Sequence, residues 1–155
     1  MVSISERNGA LIQRRSYARL PQILEVPDVQ ERVQRYYEQE DAYEKMIREN
    51  TTVHGNVLIL DFHNLDEILS GNRFKEYVLH PECNISVRII WGFKKQNMVF
   101  TVGHSIVNRT SRTNVGSLML KYGGGGHEKV GTCQVPTEKW ELIRDEIIDQ
   151  MKSDG

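Results

Sequence analysis

A chain of 155 residues with 39% hydrophobic and 26% charged residues has the make-up of an ordinary folded domain, long enough to bury a core without disulfide or metal staples. A formal net charge of -1 excludes a broad polycation that grips duplex nucleic acid through phosphates alone, so any such contact must be local. Apolar runs such as Val57 to Leu60 are far too short to span a bilayer, and the N-terminal stretch with Arg7, Arg14, Arg15 and Arg19 lacks the apolar core of a secretory signal. Cytoplasmic residence, with no membrane partner, is the resulting expectation. Cys83 and Cys133 stand at no metal-type spacing and are expected to be reduced.

Residues 1–24 hold no sustained periodicity, and Pro21 and Pro27 interrupt the chain before the first convincing element, so residues 1–27 suit a flexible arm or linker. From Asp28, a capping residue, the spacing Val29, Val33, Tyr36/Tyr37, Tyr43, Met46/Ile47 predicts a linker helix over 28–50. Its stripe reads as core or a docking face, with base stacking by the tyrosines as the minor alternative. Asn56 to Phe62 reads as a buried strand, followed by a short helix around Asn72 to Leu79. Ile85 to Trp91 and Met98 to His104 form a hairpin pattern around Gly92 and Lys94-Lys95-Gln96-Asn97. Ile85, Val87 and Ile89 share one face of the first strand, Ser86 and Arg88 the other.

Val115, Leu118, Met119 and Tyr122 fall at i, i+3, i+4, i+7, so a helix runs from about Asn114 into a glycine run that ends it. Lys129 to Val135 suits one more strand. Pro136-Thr137-Glu138 then opens a last helix with Trp140, Ile143, Ile147, Ile148 and Met151 on its apolar face. The expected architecture is α/β: over residues 51–155 a single domain with a mixed β-sheet and helices packed on its faces, preceded by the linker helix.

The string Gly123-Gly124-Gly125-Gly126-His127 carries the most chemistry. Consecutive glycine N–H groups can turn into one anion, and each glycine in a regular element costs about 0.5–1 kcal/mol, so a run of four marks a site or a sharp turn. A Walker loop fails because Thr132 stands where Lys belongs and a helix, not a strand, precedes the glycines. A dinucleotide fingerprint fails because its last glycine is missing. The plain alternative, a helix-to-strand turn, needs only one or two glycines. His127 could donate a hydrogen bond or a proton beside a bound phosphate, or simply cap the turn.

The loop Ser105 to Asn114 holds hydroxyls, amides and the guanidinium groups of Arg109 and Arg112, which is phosphate-contact chemistry but also common in solvated connectors. It lies at the far end of one helix from the glycines, so it can cooperate with them only if the chain folds back along the sheet edge. Arg88, mid-strand beside buried neighbours, calls for a carboxylate or phosphate partner. His54, His63, His80, His104 and His127 are scattered, and Asp61, His63 and Asp66 at one strand end are too few for a catalytic ion.

Tyr122-Gly123-Gly124-Gly125-Gly126-His127 resembles the GGGGHxxAAG motif of the C-terminal, DHH-associated domain of DHH-superfamily phosphoesterases: exonucleases, oligoribonucleases, nucleotide phosphatases and exopolyphosphatase-like proteins. His104-Ser105 stands where that family has Arg-Ser, Asn114-Val115 where it has Asp-Val, and Val130, Gly131 and Thr132 where Ala-Ala-Gly is usual. The family motif implies substrate contacts from Gly123, Gly124, Gly125, Gly126, His127, His104 and Ser105. The phosphate contact of the missing strand arginine would pass to His104 or to Arg109 or Arg112, and Asn108 of the same polar loop and Arg88 of the strand are further candidates.

The resemblance implies a substrate-binding domain that holds a phosphate, a pAp-like nucleotide or the end of a short single-stranded oligonucleotide. The Asp-His-His catalytic domain, with its two manganese or magnesium ions, would act in cis or in trans; no cofactor and no catalytic residue are expected in this chain. A regulatory or dimerising module with a relic loop is the alternative. A complete small hydrolase using His127 and Asp61 is disfavoured, since no second general acid or metal ligand is evident.

Overall fold

The structure, a computed structural model, describes residues 20–155. In chain order the elements are α1 (Leu20–Leu24), α2 (Pro27–Glu49), β1 (Thr51–His54), β2 (Val57–Asp61), α3 (Lys75–Leu79), β3 (Ile85–Trp91), a 3-10 turn (Phe93–Lys95), β4 (Met98–His104), α4 (Val115–Leu120), β5 (Gly125–His127), β6 (Val130–Val135) and α5 (Trp140–Asp154). The six strands form one sheet in the order β1-β2-β3-β4-β6-β5, in which only β2 and β3 run parallel. This is the expected mixed sheet, and a helix precedes it as expected.

Two cores flank the sheet. On one face Val57 and Ile59, Ile85, Val87 and Ile89, and Met98, Phe100 and Val102 meet α4 (Val115, Leu118, Met119) and α5 (Ile147, Ile148, Met151). On the other, Leu58, Leu60 and Phe62 meet Tyr43, Met46 and Ile47 from the end of α2. Val57–Leu60 is buried on both faces, which explains its unbroken apolar run.

The chain divides after Asp41, inside α2, into two compact units; the sheet and both cores lie in Ala42–Gly155. Before that boundary α2 is held by exposed i,i+4 pairs, Arg32–Asp28 at 3.4 Å and Arg35–Glu31 at 2.5 Å. The apolar stripe therefore has two fates. Tyr43, Met46 and Ile47 are buried, whereas Tyr36 and Tyr37 are 57% and 60% exposed and touch edge to face. Of the arm expected over residues 1–27, residues 1–19 lie outside the described part.

Two strands depart from the sequence-based expectation. β1 is an edge strand with little burial, so Thr51–His54 shows no apolar alternation. β5 is made of Gly125, Gly126 and His127 and forms through backbone pairing with β6 alone, register Gly126↔Gly131. The last helix opens at Trp140 after a turn over residues 137–139, rather than at Thr137.

Candidate functional site

The glycine run is built from the end of α4. Asn114 caps that helix, its side chain accepting from the Ser117 amide at 3.0 Å. At the other end the Gly123 amide donates to Leu120 and the Gly124 amide to Met119, 3.1 and 3.0 Å, a Schellman termination that needs a left-handed residue at Gly123 (φ 77°). The next two requirements are steric. A Cβ on Gly124 would sit 2.1 Å from the Thr132 carbonyl oxygen, and one on Gly126 2.3 Å from that of Val130. Three of the four glycines are thus explained by chain reversal and by close packing on β6.

Gly125 is different: a Cβ there would meet nothing within 4 Å. It also lines a groove of about 280 Å³, together with Asn114, Gly116, Ser117, Leu120, Gly126, His127 and Glu128. β5 ends the sheet, so among the described residues the outer edge of its backbone has no ladder partner, and N–H groups on such an edge are ready donors to an anion. His127 is exposed and its imidazole makes no hydrogen bond among the described residues. Gly116 lets α4 approach: a Cβ on it would lie 3.0 Å from the Gly126 carbonyl oxygen. The only acid of the lining, Glu128, is exposed and its carbonyl accepts from the Val115 amide.

The chain does fold back along the sheet edge. β5 returns His127 and Glu128 to the start of α4, where the loop 105–113 ends. The loop residues themselves are engaged locally. Ser105 is buried and its hydroxyl accepts from the amides of Val107 and Asn108, 3.1 and 3.0 Å. The Asn108 side chain donates to the Glu82 carbonyl, Arg109 donates to the Ile106 carbonyl, and the Arg112 amide donates to the Gly155 carbonyl. His104 donates through Nε2 to the Thr113 carbonyl at 2.8 Å, and its amide donates to the Lys129 carbonyl. Beside it, the buried Thr113 hydroxyl has no hydrogen-bond partner among the described residues.

Arg88 lies on the opposite face of the sheet from α4. Its guanidinium pairs with the buried Glu76 carboxylate at 2.5 Å, and Glu76 also accepts from the Ser86 hydroxyl, which meets the Tyr77 hydroxyl at 2.8 Å. Burial works against the Arg88 charge, but Glu76 and Tyr43 together more than offset it and the net shift is upward; burial also pushes Tyr77 up to about 12. The carboxylate partner that a half-buried arginine needs is therefore Glu76. The structure brings Gly125, Gly126 and His127 together in the groove, places His104 next to its rim, and sets Arg88 apart.

The strand end at Asp61 holds no metal-type cluster. The Asp61 carboxylate accepts from His63, whose ring packs 4.9 Å from Trp140, and Asp66 is exposed. Among the described residues no three His, Cys, Asp or Glu side chains are grouped to hold a metal ion, so the residues here do not fit one. No described helix is long and apolar enough to cross a membrane.

Sequence reasoning missed Gly116, Ser117 and Glu128 as groove residues. One signal was readable: between Glu82 and Glu128 the chain has no Asp or Glu at all, but carries Arg88, Lys94, Lys95, Arg109, Arg112 and Lys121.

No family model and no curated protein matches the chain. Among solved structures it is similar to a pGpG-specific phosphodiesterase, PggH, from Vibrio cholerae, with 44% identity and a TM-score of 0.84 over 99% of this chain. The chain spans about half of that protein, 52% of its length. An exopolyphosphatase-related protein from Bacteroides fragilis shares the fold at 10% identity and a TM-score of 0.57, over 75% of this chain and 36% of its own. So does the DHH domain of a member of a family of ribosomal proteins, at 12% identity and 0.52, over 81% of this chain and 31% of its own.

Proposed function

The chain fits the DHH-associated domain of the DHH-superfamily phosphoesterases, and on that premise we propose that it is the substrate-binding half of a nucleotide phosphodiesterase. Its groove holds a phosphate of a short linear nucleotide of the pGpG type. The observation that carries this reading is Gly125: it has open space where its side chain would be, while its neighbours are glycines for packing reasons. A glycine without an internal reason marks a place where a ligand approaches the main chain. Edge N–H groups of β5 and the unpartnered His127 imidazole supply the donors.

The division of labour follows from the side chains. Phosphodiester hydrolysis needs an activated water and a clamp on the transferring phosphoryl group, commonly two metal ions. The described residues do not fit such ions, so their part is to bind and orient, and manganese or magnesium belongs to the Asp-His-His domain, acting in cis or in trans. Calorimetric titration of the purified chain with pGpG, pAp and a short RNA tests this. Saturable binding that Gly125→Val and His127→Ala each weaken at least tenfold supports it; affinity untouched by both variants overturns it.

A second reading rests on α1 and the first half of α2. Among the described residues Ile23, Leu24, Val26, Tyr36 and Tyr37 stay exposed, which favours an assembly role such as homodimerisation. A concentration-dependent sedimentation coefficient abolished by Tyr36→Glu/Tyr37→Glu, with no nucleotide binding, would establish it.

A further inference from the structure

The tip of the β3–β4 hairpin presents aromatic rings and cations together. Phe93 is 77% exposed, the most exposed large apolar side chain among the described residues. The Lys94 ammonium lies 5.2 Å from its ring centroid, and that of Lys95 lies 6.0 Å from the ring of Trp91. Both lysines adopt positive φ, 50° and 56°, a region that costs a non-glycine residue about 1–2 kcal/mol. The tip is nevertheless closed by bonds from Gly92 to the Asn97 carbonyl at 2.8 Å and from Lys95 to the Gly92 carbonyl at 3.0 Å, so it is a fixed platform.

We propose that this tip is a stacking site for single-stranded nucleic acid: a base lies on Phe93, and Lys94 and Lys95 pair with the flanking phosphates. The charge pattern supports a polyanion, since the whole run from Cys83 to His127 lacks a carboxylate. Two ring–ammonium pairs side by side match alternating bases and phosphates. A membrane surface is a poorer fit for one exposed apolar side chain in a turn that also carries Gln96 and Asn97.

The tip stands on its own as a site. If the glycine groove also holds a phosphate, as proposed above, the sheet register fixes the span. Trp91 pairs with Met98, three residues along β4 from Thr101, whose partner on β6 is Thr132, and Thr132 pairs with Gly125. Three strand spacings and three residues put Trp91 about 18 Å from Gly125, and Phe93 follows Trp91 by two residues in the turn beyond the strand end. A dinucleotide seated at Gly125 does not reach Phe93, whereas a longer strand does.

The test is fluorescence anisotropy of labelled oligoadenylates, two to eight nucleotides long, with the full chain. For the longer oligomers Phe93→Ala is expected to weaken binding about five- to 100-fold, and Lys94→Ala/Lys95→Ala to reduce the slope of log K against log salt by about 1.4. The dinucleotide should be indifferent to both and sensitive to His127→Ala, which separates this site from the groove. Equal affinity of wild type and Phe93→Ala for the octamer overturns the proposal. So does Phe93-dependent binding to phosphatidylglycerol vesicles without oligonucleotide binding. Phe93 is solvent-exposed, so its truncation leaves the fold intact.

Discussion

The amide of Val115, the first residue of α4, donates to the carbonyl of Glu128, just past the end of β5, at 2.8 Å. This bond closes a loop of chain in which a two-turn helix, a Schellman turn and a glycine strand are folded against each other. The groove is what remains between the helix and the strand, and its width is set by Gly116 on one wall and Gly126 on the other.

The four glycines should therefore separate by experiment. Gly124→Ala and Gly126→Ala force a methyl into backbone and are expected to cost about 2–3 kcal/mol or more in urea unfolding. Gly123→Ala meets no neighbour and should cost about 1–2 kcal/mol for its positive φ alone, with Gly123→Asn costing less. Gly125→Ala is expected within about 0.5 kcal/mol of wild type while nucleotide affinity falls. An equal loss of stability at all four positions would refute the distinction.

Arg88 belongs to a buried network and not to the groove. Removing one partner of a buried pair leaves the other charge uncompensated, so Arg88→Met or Glu76→Gln should cost about 3 kcal/mol. The folded fraction should bind nucleotide as wild type does. A large affinity loss without a stability loss in Arg88→Met would place Arg88 at the ligand instead.

Burial pushes the thiols of Cys83 and Cys133 each up to about 11 from an ordinary value of 9.0. Between those values the folded state holds protons that the unfolded state releases. The contribution is present below pH 9 and is lost as pH rises toward 11. Urea midpoints should fall across that window, and the fall should flatten in Cys83→Ala/Cys133→Ala. Both thiols should resist iodoacetamide at pH 7 in the native protein. An unchanged pH slope in the double variant would contradict this assignment.

Much of the frame was legible because it rests on side-chain periodicity. Val57–Leu60, the alternation of Ile85, Val87 and Ile89, and the stripe of α5 each announce the faces they bury. β5 was not legible, since two glycines and a histidine carry no pattern and the strand exists only through its pairing with β6. The partner of Arg88 was not legible either: Glu76 lies twelve residues away on another element, and only the tertiary fold brings them together. The glycine run was visible at once, but its division into one turn glycine, two packing glycines and one open one depends on the φ of Gly123 and on what sits above each Cα.

Amide chemical-shift mapping of the labelled chain during a pGpG titration decides whether nucleotide phosphate binds in the groove between α4 and β5. Binding in the groove gives saturable shifts at Ser117, Gly125, Gly126 and His127, with Glu76 and Arg88 on the opposite face unmoved. Saturable shifts confined to other surfaces, or no shifts at millimolar pGpG, would contradict it.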